Sequence, residues 1–524
     1  MVQLLDLPTE ILSECLSYLV PPGELDDYDD EADEQMDEMD LSNLCLVSRK
    51  LRDIAQPLLF SNFEDLDTHG DLRRLIAFTK VIISHPELAE HVQSISLTPL
   101  VLHPLEPFDR KLPAEDLKLF TKAIRDLQVP SDQVNAWLFD LEFRDLSVIL
   151  ALLLSKTPNL RNLTLPGAFV MPKATDYLFT RNPPCLPNLN RLRIEGHPEV
   201  AFSFGIHMYE KFCSQLPVKT LEVQNGMLTE RAFPASWTPN SLSLEDIRLS
   251  FCDIDRKSIT KLLQACKSVQ SFVWTNWSED LQLQDCLSAK TMDFDGNHLH
   301  AMLLPHKSTL KSLQLQFGEL WDFDQNGNYL PTERAKFPTF RDFTVLDTLY
   351  ISHRLLPPIP EFPPSLKKLI VGDCSKSIRE WTRKFAADCH NGCYPSLRCI
   401  LVLTMDLTQP VMLPGQIVPV GEQPMDSYSN LQNLFKGTGV DFRIMSYNVE
   451  EMLRDLEMDD HDSYDDLEDG LEDFRHGPGG HSGRFYGYED CDEDWYEYNY
   501  DPDSFPRLRD LVIQSLRERG MGVD

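Results

Sequence analysis

The chain has 524 residues, an apolar share of 42% and a formal net charge of −34. That length excludes one small domain and implies two or more units or a long repeat array. The charge is segregated: residues 21–40 hold eleven acids and no Lys or Arg, residues 449–503 hold 21 acids and three Arg, and the remainder is near neutral at −5. A body without clustered Lys and Arg excludes nucleic acid as the main partner, because phosphate binding needs such clusters. The twelve Cys are scattered, several at apolar periodic positions (Cys15, Cys45, Cys266), which points to reduced thiols in an intracellular protein. There is no apolar run of about 18 residues to span a membrane, and Asp6, Glu10 and Glu14 interrupt the N-terminal run too early for a signal peptide. The expected location is cytoplasmic, nuclear or both, with no membrane contact.

The first predicted element is a helix opening at Pro8, where a missing N–H costs nothing. Ile11, Leu12, Cys15, Leu16 and Leu19 fall on one face. After the acidic stretch, Asp40 is a candidate N-cap for a second helix. Leu44, Val47, Leu51 and Ile54 recur three or four apart until Pro57, which is expected to end it. Fewer than about 50 ordered residues rarely bury enough surface to stand alone, so this module calls for a partner. The intervening PPGELDDYDDEADEQMDEMD is too charged to pack and reads as a solvated loop.

The paired halves LPTEIL…CLSYL and LSNLCLVSRKLRDIAQPLLF, over residues 4–20 and 41–63, resemble an F-box. F-boxes dock the Skp adaptor of SCF (Skp–cullin–F-box) ubiquitin ligases. The chain departs from the pattern in two ways: the Trp that many F-boxes carry in the later helix is replaced by LRDIA, and the first connection is lengthened by residues 21–40. The resemblance implies an adaptor contact made by Leu7, Pro8, Ile11, Leu12, Leu16, Leu44, Val47, Ser48 and Leu51.

Residues 71–90 read as a helix with Leu72, Leu75, Ile76 and Thr79 on one side, closing near His85–Pro86. The passage from Pro86 to Leu97 resembles the junction between F-box and repeats in fungal F-box proteins. From there a six-residue pattern, apolar-x-x-apolar-x-apolar, recurs eleven times. Its instances begin at Val92, Leu138, Leu160, Leu189, Val218, Leu244, Val269, Leu310, Leu346, Leu366 and Leu397. Most spacings fit leucine-rich repeats of about 20–29 residues, each a short strand with a helix-like return such as 258–266. The fold class expected is therefore an α/β solenoid. An F-box at 1–65, interrupted by the insert 21–40, leads through a helical junction at 66–91 into an irregular leucine-rich-repeat horseshoe at 92–448. An acidic disordered tract at 449–503 precedes a terminal repeat strand or amphipathic helix at 504–524.

Strand residues flanking the central apolar position point away from the core. Asp140, Glu142, Arg191, Arg193, Arg248, Tyr350 and Lys368 are the candidate client-binding residues on that basis. The basic ones could accept an acidic segment, including the chain's own tract 449–503, whose acids alternate with Tyr, Phe and Trp.

Two metal patterns are weighed and set aside. Residues 322–333, DFDQNGNYLPTE, match EF-hand ligand spacing but lack the flanking helices that make that motif specific. Cys389 and Cys393 form a CxxxC pair without a second spaced pair. No HExxH, GxSxG, Walker loop or strand-borne GxGxxG is present, so neither an active site nor a cofactor is expected. The sequence reading is a non-catalytic ligase subunit that binds the Skp adaptor, and through it cullin, and presents a client protein. The rival is an acidic leucine-rich-repeat chaperone or scaffold for basic proteins, which the acidic tract alone would suit.

Overall fold

A computed structural model describes residues 7–19, 40–65, 72–97, 112–127, 129, 131–142, 146–167, 178–179, 185–196, 204–275, 294–317, 335–374, 378–404 and 431–446. The acidic stretches 21–39 and 449–503, the loop 322–333 and residues 504–524 lie outside them.

The N-terminal module is three helices. Helix α1 (Thr9–Ser17) has Pro8 as its N-cap residue, one position earlier than expected. Helix α2 (40–47) already includes Asp40. Helix α3 (Arg49–Leu59) starts at Ser48, whose extended backbone breaks the single helix expected from the apolar spacing. The Ser48 hydroxyl accepts a hydrogen bond from the Leu51 N–H at 3.2 Å, satisfying one orphan donor of the first turn. Pro57 does not end α3. It sits inside the last turn, so only one intrahelical bond is forfeited before the helix closes with Phe60 N–H on Gln56 O. Leu12, Leu16, Leu41, Leu51, Ile54 and Ala55 form a core of their own, separate from that of the rest of the chain.

Beyond it the chain forms an α/β fold on an open, twelve-stranded sheet in which every pairing is parallel. Strand β1 (Asn62–Asp65) precedes helices α4 (Arg73–Ser84) and α5 (Pro86–Ala89) and strand β2 (Ser94–Leu97). Helices α6 (Ala114–Asp126), α7 (Ser131–Glu142) and α8 (Leu146–Lys156) follow, then β3 (Asn162–Pro166), β4 (Arg191–Glu195) and β5 (Phe204–Gly205). Next come α9 (Glu210–Gln215), β6 (Thr220–Gln224), β7 (Gly226–Leu228), β8 (Asp246–Ser250), β9 (Asp253–Ile254), α10 (Arg256–Ala265) and β10 (Ser271–Thr275). The rest are α11 (Gly296–Leu303), β11 (Ser312–Gln316), β12 (Thr348–Ser352), β13 (Lys368–Cys374), α12 (Ile378–His390), β14 (Cys399–Thr404) and β15 (Asp441–Ser446). The large sheet runs β1-β2-β3-β4-β6-β8-β10-β11-β12-β13-β14-β15, in chain order, and β5, β7 and β9 make a second, short parallel sheet.

Ten of the eleven six-residue motifs are strands of the large sheet. The central apolar residue of each is matched across the sheet, from Ile95 and Leu163 through Leu192, Leu221, Ile247, Phe272, Leu313, Leu349 and Leu369 to Ile400. Each of these is at most 1% exposed, so one unbroken apolar row runs through the core. Period-2 alternation sends the neighbouring residues to the other face.

The eleventh motif, Leu138-x-x-Leu141-x-Phe143, is not a strand, and this corrects the reading of Asp140 and Glu142 as strand-face residues. Residues 131–142 are helix α7. Val134, Trp137, Leu138 and Leu141 recur at helical spacing, and burying Trp137 and Leu141 outweighs the short apolar alternation. Strand β2 pairs directly with β3, so α6, α7 and α8 form a helical layer between consecutive strands. Helix α8 is its centre. Residues Val148 to Leu154 are all fully buried, as a helix apolar on every side must be.

Candidate functional site

Two surfaces present side chains suited to binding, one on the N-terminal module and one on the outer face of the large sheet. On the module, α1 packs on α3 through Leu12 and Leu16. Lys50 Nζ donates to Leu7 O at 2.8 Å and ties the chain before α1 to α3. A second face of α1, about a third of a turn round from this one, is apolar too. Ile11 is 48% exposed and Tyr18 80%, and their seven-residue spacing puts them on one helix face with the exposed Cys15 between. Leu46 and Val47, at the end of α2, are 76% and 67% exposed. Only seven large apolar residues are exposed among the described residues, and four of them belong to this small module. Such concentration departs from the scattered exposure normal for any protein.

The nine residues implied as an adaptor contact divide by burial. Pro8, Ile11 and Val47 are exposed, and Leu7, Leu44 and Ser48 are half-buried. Leu12, Leu16 and Leu51 are buried and serve the module's own core. Leu46 and Tyr18 were missed. Their signal was an apolar side chain off the core-facing spacing, which a search for the core passes over.

On the sheet, Arg191, Arg193, Arg248, Tyr350 and Lys368 all lie on the outward row positions of β4, β8, β12 and β13. Glu222 of β6 sits between β4 and β8, paired in register with Arg193 and Arg248. Its carboxylate is 2.9 Å from Arg191 and 3.5 Å from Arg248. Arg193 pairs with Glu195, whose carboxyl is pushed up by burial against the opposing pull of Arg193. Asp246 lies 3.7 Å from Arg248. Three Arg therefore meet three acids, so this half of the face carries no net charge to attract an anion. Asp140 and Glu142 are elsewhere, on α7.

The other half of the face differs. Val273, Gln314, Tyr350, Ile370 and Leu401 stand opposite one another on β10, β11, β12, β13 and β14, without a charge among them. All five are partly exposed, and the apolar four are not packed against the core. Of this row only Tyr350 was named from sequence. The rest could have been read from the same between-leucine positions.

Among the described residues no group of three or more His, Cys, Asp and Glu is placed to hold a metal ion, and no helix is long and apolar enough to cross a membrane. Cys389, in the last turn of α12, has its thiol pushed up to about 12 by burial and by the neighbouring Asp388 and Cys393. No protein-family model matches the chain, and none of the curated proteins matches it.

Proposed function

We propose that the protein is the substrate-recognition subunit of an SCF-type ubiquitin ligase. Its N-terminal module would be an F-box that docks the Skp adaptor. The large sheet with its helices would be an irregular leucine-rich-repeat horseshoe that holds a client. The observation that carries this reading is the module's division of labour: Leu12, Leu16 and Leu51 close a private core while Ile11, Leu46 and Val47 stay in water. A module of that size with so much apolar surface left open is built to be completed by a partner. The strand-per-repeat order of the sheet and its continuous apolar row support the repeat architecture, since each unit buries its core face only on its neighbours. The ubiquitin chemistry would belong to other subunits, and this chain would contribute proximity and orientation.

The test is affinity purification of the full chain beside the variant Ile11→Ser/Val47→Ser. Skp adaptor and cullin recovered with the first and lost from the second support the proposal. Recovery of neither with the full chain, with basic proteins in their place, would move the acidic-chaperone reading ahead.

A further inference from the structure

The outer face of β10 to β14 has an apolar middle and a basic edge. Its middle is the row Val273, Gln314, Tyr350, Ile370 and Leu401, about 19 Å long at roughly 4.8 Å per strand. Its edge is formed by the residues that open or immediately precede β11 to β14. There Lys311, Lys367, Lys368 and Arg398 are exposed, with Asp347 the one acid. Asp347 pairs with Lys367 at 3.2 Å, which leaves the edge strongly positive. The charges of the β4–β8 half cancel, so that half offers no comparable attraction.

An occupant that fits must carry aromatic and acidic side chains together. One segment of this chain does. Residues 449–503 hold 21 acids and nine aromatics with three Arg, whereas the other acidic stretch, 21–40, has the single aromatic Tyr28. We propose that residues 449–503 dock on the face of β10 to β14 of the same molecule, aromatic rings on the apolar row and carboxylates on the lysine edge. The chain is placed to do so. Strand β15 ends at Ser446 and lies beside β14. At a reach of at most about 3.3 Å per residue, the eighteen residues from there to Tyr464, the first aromatic of the segment, are long enough for the roughly 24 Å from β15 across to β10. The inference is independent of the ligase reading, because face and charge are the same whatever the N-terminal module binds.

The experiment is zero-length carbodiimide cross-linking of the dilute full chain, as a mixture of light and heavy isotope-labelled protein, with the links mapped by mass spectrometry. The expected result is amide links within one molecule from Lys311, Lys367 or Lys368 to Asp and Glu of 449–503. Their yield should fall several-fold at about 1 M salt, where the screening length shrinks to roughly 3 Å. The variant Tyr350→Ser/Leu401→Ser should lower it about tenfold, as expected when central anchors are removed. Links spread equally over distant lysines such as Lys118 and Lys257, or no links at all, would overturn the proposal. So would a yield indifferent to salt, which needs no variant to fold. Predominantly light–heavy links would assign the face to a second copy instead.

Discussion

Serine at Ile11 and Val47 separates surface from core on the N-terminal module. The exposures of 48% and 67% leave on the order of 80–100 Å² of each side chain in water. At about 25 cal/mol per Å², covering that area is worth roughly 2 kcal/mol per residue. If the proposed adaptor docks there, removing most of both contributions should weaken its binding by about 3 kcal/mol, a factor of roughly 100 in Kd. Folding stability should hardly move, because neither side chain is buried and such surface changes stay within about 0.5 kcal/mol. Leu12→Ala is the contrasting control. Leu12 is 1% exposed, so its truncation should cost about 2–5 kcal/mol of module stability and weaken binding only through unfolding. Calorimetric titration with purified Skp adaptor, beside thermal unfolding of each variant, reads both quantities. Unchanged affinity in the serine double variant, with the module folded, would refute the assignment of this surface.

Other outcomes follow from local geometry. A Cβ on Gly296 would lie 2.1 Å from the Phe337 backbone nitrogen and 2.2 Å from the Lys336 carbonyl carbon, so Gly296→Ala should destabilise by about 1–3 kcal/mol in denaturant titration. Burial and Lys336 hold His353 down at about 4. On acidification the unfolded chain therefore takes its proton first, near pH 6.5, and stability should decline from there to about pH 4. His353→Gln should flatten that slope in unfolding curves taken across the window. The exposed Cys15 and Cys393 should alkylate rapidly in the native protein, while Cys252 and Cys266, buried and pushed up to about 12, should react only on unfolding, as peptide mapping would read.

Much of the fold was legible because the repeat reports burial directly. In Leu189-x-x-Leu192-x-Ile194, two side chains on the same face of a strand must both be apolar, and the pattern recurs wherever a strand joins the sheet. The same pattern misled at Leu138, where three apolar residues fit a strand and a helix equally and Trp137 decided for the helix. Strand β1, with Phe63 alone as its apolar residue, and β15, with Phe442 and Ile444, were too short or too irregular to stand out. The surface was less legible. Arg193 and Arg248 looked like available cations until register placed Glu222 between them, and register is a property of pairing that no single strand encodes.

The join between the two cores bears on what the protein could do as a device for holding things together. Leu58 and Leu59 pack on the module's core, while Phe60 packs on that of the sheet. Phe78 of α4 then stacks against both Phe60, at 5.9 Å, and Phe63 of β1, at 4.2 Å. One step of chain thus passes from core to core, with an aromatic stack at the crossing in place of a linker. A flexible tether would leave the module and the sheet face free to tumble apart, and the distance between them would depend on linker length. A helix running into β1 and locked by three rings sets the module against the sheet, which is the geometry that orientation by proximity requires.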